Sequence, residues 1–186
     1  MSLNYPKEII DNYLSNGFNS IFLRPLNPYG LALNNTSWDL YFENFVTFYK
    51  LALNYIIDIN IRGDFFVEEF TAILLRKMLT PYTFRLGYVT DKYENLFYGK
   101  KAQQIALIGG TEFIAGCADC AFQSYCGADP VRNYSTQNDM YGFRPTSSFC
   151  KKHKAIISYL FYLIQNDYDR VMPIFKQWIN KNENRF

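Results

Sequence analysis

The sequence predicts a mainly helical α/β chain, and three observations carry that prediction. Aromatic and aliphatic stripes recur at helical spacing over 36–81 and again after residue 151. One short continuous apolar run, Ile21-Phe22-Leu23, has the character of a parallel-sheet strand buried on both faces. Between the two helical regions lies a segment rich in Gly, Pro, Asn, Ser and Asp that contains all four cysteines. With 186 residues, 49% of them apolar and 19% aromatic, the chain is long and apolar enough to bury a substantial core.

Taken in order, "PKEIIDNYLSN" reads as a first helix. Pro6 suits its opening turn, Ile9, Ile10, Tyr13 and Leu14 share a face, and Gly17 is a natural stop. The strand run follows, ended by Arg24-Pro25, and "LNPYG" is a loop. "TSWDLYFENFVTFYKLALNYIIDIN" is a long helix, with Thr36 or Ser37 as its cap. Its stripe runs through Trp38, Tyr41, Phe42, Phe45, Tyr49, Ala52, Leu53 and Ile56 and is read as core. "RGD" at 62–64 breaks it, and "FFVEEFTAILLRKMLTP" makes a further helix, stopped before Pro81. Residues 82–99 read as irregular, with a short strand at 84–89, and "KKAQQIALIGG" as a helix ending at Gly109-Gly110. The cysteine segment reads as loop. "KKHKAIISYLFYLIQ" and "DYDRVMPIFKQWINK" close the chain as two helices, and Pro173 predicts a kink or a late start in the second.

Several function classes are excluded at this level. The net charge of +2 offers no basic field for nucleic acid. No apolar stretch of about 18 residues exists to span a bilayer, and "MSLNYPKEIIDNYLSNG" lacks the pattern of a secretory signal. A cytoplasmic, reducing location is therefore expected, where clustered cysteines point to metal rather than to disulfides. "IGGTEF" lacks the Gly-Lys-Ser/Thr ending of a phosphate loop, and a single histidine builds no Ser-His-Asp set.

The cysteines follow C-x2-C-x5-C-x23-C, at Cys117, Cys120, Cys126 and Cys150. A C-x2-C pair presents two thiolates from one tight turn, and Gly127 frees the backbone beside the third. Cys150 ties the last helical region to the same site, so metal binding becomes part of folding. Four thiolates suit zinc or an iron–sulfur cluster. One pair followed by two single cysteines departs from the two-pair pattern of zinc ribbons. His153 and its neighbours Lys151, Lys152 and Lys154 are read as a solvated basic helix start. Arg24, at the end of the strand, is a weak candidate for substrate contact, weighed against a structural salt bridge. Asp129 and Arg132 are candidates for orienting the ligand loop, weighed against ordinary turn roles.

"CADCAFQSYCGADPV" and "RPTSSFCKK" resemble the C-terminal SPASM-type region of radical S-adenosylmethionine (SAM) peptide maturases, most of all those of the His-Xaa-Ser system. "GFNSIFLRPLNPYG" is similar to the last part of that family's partial (βα)6 barrel, and "IFKQW" to its C-terminal helices. The resemblance is most specific over 117–150, less so over 17–31 and least elsewhere. It implies a division into a last barrel unit at 1–35, a helical connector at 36–81, an auxiliary-cluster segment at 82–150 and C-terminal helices at 151–186. It also implies that Cys117, Cys120, Cys126 and Cys150 hold one auxiliary 4Fe–4S cluster. Relatives carry a further cysteine for a second cluster where this chain has Pro130. The C-x3-C-x2-C loop that binds the SAM cluster does not occur in these residues, and "TPYTFRLG" is shorter than the family's hairpin segment. The implied partners are a ribosomally made peptide and a chain supplying the rest of the barrel. The alternative is a stand-alone zinc module built on the four cysteines, structural or protein-binding.

Overall fold

The computed structural model describes residues 2–28, 32, 37–81, 111, 114–127, 129–145 and 147–183. Among these residues the chain is mainly helical, with strand confined to two segments of two residues. The strand expected at 84–89 and the helix expected over 100–110 lie outside the described residues.

Helix α1 spans Pro6–Ser15, with Pro6 in its first turn and Ile10 fully buried. It stops at Gly17, whose φ of +79° is the left-handed conformation that costs glycine least. Strand β1, Ser20–Ile21, follows and pairs in parallel with β2, Val67–Glu68, in the register Ser20 to Val67 and Ile21 to Glu68. Ile21 and Leu23 are buried, but Phe22 between them is 50% exposed. The run expected to be buried on both faces is thus covered on one.

Helix α2, Trp38–Ile61, is the central element and packs against α1 and both C-terminal helices. The expected stripe is its inward face from Phe42 to Ile56, while Trp38 and Tyr41 are half-buried. Its N-cap is Ser37, which makes no side-chain capping bond, and Gly63 at φ +101° ends the turn beyond it.

The helix expected from residue 65 begins later, as α3, Glu69–Leu79, because its first residues are spent on β2. Glu68 decides this. It is fully buried, with an extended backbone, and its carboxylate accepts from Phe70 N and Thr71 N as the helix cap. The same carboxylate accepts from Leu23 N at 3.0 Å and from the Tyr49 hydroxyl, so one side chain joins β1, α2 and α3. Burial pushes its pKa up, against the pull of these donors.

Helix α4, Pro130–Gln137, lies inside the segment expected to be loop. Asp129 caps it by accepting from Arg132 N at 2.9 Å, and Pro130 occupies the first helical position. Helix α5, Ser148–Asn166, starts three residues before the expected run, capped by Ser147 Oγ accepting from Cys150 N. Helix α6, Tyr168–Glu183, keeps Pro173 in its interior rather than starting after it. Arg170 holds its start to α2 through Asp58 and to Asp167.

The core forms between α2, α3, α5 and α6. Tyr49, Phe45, Phe66, Phe175 and Trp178 are its largest fully buried side chains. Among the described residues no helix is long and apolar enough to cross a membrane.

Candidate metal centre

The first three cysteines lie on a chain of tight turns. Cys117 N donates to Ile114 O, Cys120 N to Cys117 O, Gln123 N to Cys120 O and Cys126 N to Phe122 O, all at 2.9–3.0 Å. Each turn reverses the backbone within three or four residues, which is how C-x2-C brings two thiols to one side. Gly116, at φ +73°, makes this possible a second way: a Cβ there would stand 2.6 Å from Pro145 Cγ. The turn chain is thereby pressed against the segment that leads into α5. Cys150 comes from the first turn of α5, where the cap on its N–H fixes the helix start.

All four cysteines line one cavity of about 30 Å³, with Phe122 and Ile157 as apolar wall. All four are free thiols and partly buried. Among the described residues no three His, Cys, Asp or Glu side chains stand close enough to grip an ion as they are. The spacing therefore assembles the donors around a common space without closing a cage. Burial pushes the Cys126 thiol up, with Arg144 opposing; burial likewise raises Cys150, with Lys154 opposing. Loading a metal there must release protons from these thiols.

Arg144 is a candidate that the cysteine spacing does not reveal. It is 2% exposed, and its Nε and Nη2 find no hydrogen-bond partner among the described residues. Its guanidinium lies over the Phe149 ring, 5.2 Å from the centroid. A buried cation without acceptors costs several kcal/mol unless an anion stands nearby, and the neighbouring groups on which its field acts are Cys126 and Cys150. The sequence signal was an arginine inside the cysteine segment, in "FRPTSSFC".

The solvated basic helix start is corrected at two of its four positions. Lys151 and Lys154 are exposed, whereas Lys152 and His153 are 9% and 8% exposed. Because α5 begins at Ser148, positions 149, 152, 153, 156, 157 and 160 fall on its inward side. His153 Nδ1 pairs with Phe149 O at 2.8 Å, and its ring lies 4.0 Å from that of Phe149. Burial, and then the charge of Lys152, holds its pKa well below the usual range, so the ring is neutral. Burial, helped by Arg132, lowers Lys152 to about 8.

The remaining candidates lie apart from the thiols. Arg24 is exposed, makes no ion pair among the described residues and lines a second cavity at the carboxyl end of β1. Asp129 lines that cavity as well as capping α4. Arg132 donates from Nη2 to Ser148 Oγ at 2.7 Å and stacks over Phe42 at 4.8 Å, so it steadies the start of the helix that carries Cys150. No protein-family model matches the chain, and neither does any curated protein or solved structure.

Proposed function

We propose that the chain is the C-terminal part of a radical SAM maturase acting on a ribosomally made peptide, and that Cys117, Cys120, Cys126 and Cys150 hold its one auxiliary 4Fe–4S cluster. The region around β1 is then the remnant of a partial (βα)6 barrel, and the turn chain a SPASM-like segment. What supports the reading is the convergence of four thiols, from consecutive turns and a helix start, on one cavity beside a buried, unpaired guanidinium. A cluster ligated by four thiolates carries net negative charge, which Arg144 would offset. Cys117, Cys120, Cys126 and Cys150 would leave no iron open to substrate, and a cluster so held would serve electron transfer or the shaping of the peptide groove. These residues contain no C-x3-C-x2-C loop, so the chain alone is expected not to cleave SAM. A second chain supplying the barrel is the implied partner, and the cytoplasm the implied compartment.

One observation favours a second reading, a structural zinc site on the same four cysteines. Four thiols lining one cavity are also a complete zinc donor set.

Metal and sulfide analysis after purification without oxygen separates the two. About four irons and four sulfides per chain, with visible absorption that disappears in Cys126→Ser, are expected for the cluster. About one zinc and no sulfide would establish the zinc site instead. Formation of 5′-deoxyadenosine by the reduced chain alone would overturn the dependence on a second chain.

A further inference from the structure

The cavity at the carboxyl end of β1 has a volume of about 130 Å³. That is room for roughly four waters, or for the head of a small organic molecule. Its walls are aromatic, with Phe22, Phe45, Phe70 and Phe149 all contributing. Its polar groups are few: the charged Arg24, Lys152 and Asp129, with Asn27 and the neutral His153 beside them. Arg24 and Phe22 are exposed and form the mouth, while Lys152 is 9% exposed and sits at depth.

Lys152 is the group that asks for a ligand. Its Nζ lies over the Phe149 ring at 5.2 Å, and among the described residues it makes no hydrogen bond or ion pair. A buried ammonium that has a ring face and the unbonded field of Asp129, but no acceptor, is incompletely compensated. Of the other buried cations nearby, Arg132 is engaged, bonding Ser148 and stacking on Phe42, and Arg144 lies over Phe149 without lining the cavity. Asp129 is engaged as the cap of α4. Counting Arg24 and Lys152 against Asp129, the cavity carries one net positive charge, which matches a monoanion better than a dianion.

We propose that this cavity binds a monocarboxylate borne on a short apolar or aromatic body, with Lys152 and Arg24 meeting the carboxylate and the phenylalanine rings enclosing the body. Aromatic walls with a few convergent polar groups are the composition of a small-molecule site, here on a small scale. The proposal is independent of what the thiols hold. The carboxylate can belong to a free acid or to the end of a peptide, and the two sources share this chemistry.

Calorimetric titration of the full chain with phenylacetate and with N-acetylphenylalanine, each beside its uncharged amide, tests the proposal. Binding of at least one acid, weakened tenfold or more in its amide, is expected. Phenylacetate as the tighter ligand would identify a free acid, and N-acetylphenylalanine a chain terminus. Lys152→Met, which keeps the apolar stem, and the exposed Arg24→Gln are each expected to weaken binding several-fold or more. Arg24→Gln keeps the test valid if Lys152→Met fails to fold. No binding of either acid, equal binding of acid and amide, an unchanged affinity in Arg24→Gln, or tighter binding of inorganic phosphate would overturn it.

Discussion

The helical body and the cysteine-bearing side treat buried polar groups in opposite ways. In the body, the buried carboxylate of Glu68 collects Leu23 N, Phe70 N, Thr71 N and the Tyr49 hydroxyl. Asn60 there bonds Phe66 at both its N–H and its carbonyl, and accepts from Trp178 Nε1. On the cysteine side, Arg144 keeps two nitrogens unmatched, and Lys152 has a ring face in place of an acceptor. Folding alone selects the first arrangement, because an unsatisfied buried group costs about 1–3 kcal/mol. The second is the arrangement that the proposed metal and acid would complete.

Four measurements test this contrast. Trp178→Ala removes the largest buried side chain of the body and should cost about 3–5 kcal/mol, read by denaturant unfolding. Metal content of the protein that remains folded should not change; a loss of metal there would make the two regions one unit. Arg144→Leu should do the reverse. Metal affinity, read by competition with a chelator, should fall roughly 10–100-fold, as for groups that support metal ligands. The metal-free chain should lose little stability, since the unmatched Nε and Nη2 go together with a single ring contact, that to Phe149. Glu68→Gln places an amide N–H₂ against backbone N–H donors, and an unfolding cost of about 1–3 kcal/mol is expected with metal content intact. The smallest effect is on pH. The fold holds His153 neutral, while in the unfolded chain it takes up a proton below about 6.5. Stability from this group is therefore flat above that pH and declines as pH falls below it. His153→Phe should flatten the slope in urea titrations run between about pH 7 and 5.

The body was legible where one period governed it. Pro6, the Ile9-Ile10 face and Gly17 gave α1, and the aromatic stripe gave α2. Each failure has its own physical cause. Helix α4, "PVRNYSTQ", has no apolar stripe, and only the Asp-Pro start marks it. The late start of α3 depends on Glu68 meeting Leu23 and Tyr49, partners distant in sequence. Lys152 and His153 were read from their charge, although the helical period places them inward with Ile156, Ile157 and Leu160. For the site, the cysteine spacing was legible because turn geometry is local. The approach of Arg144 to the thiols, and of Arg24 to Lys152, was not, since the packing of α5 creates both.

Helix α5 forms the partition between the two cavities. Cys150 faces one and Lys152 the other, and His153 lines both. A partition one helix thick makes their occupants thermodynamic neighbours. If filling the thiol side displaces the helix so that an acid binds tenfold tighter, the acid must tighten the metal tenfold in return. Substrate arrival and metal retention would then be two faces of one equilibrium, and a chain starved of either would hold the other less well.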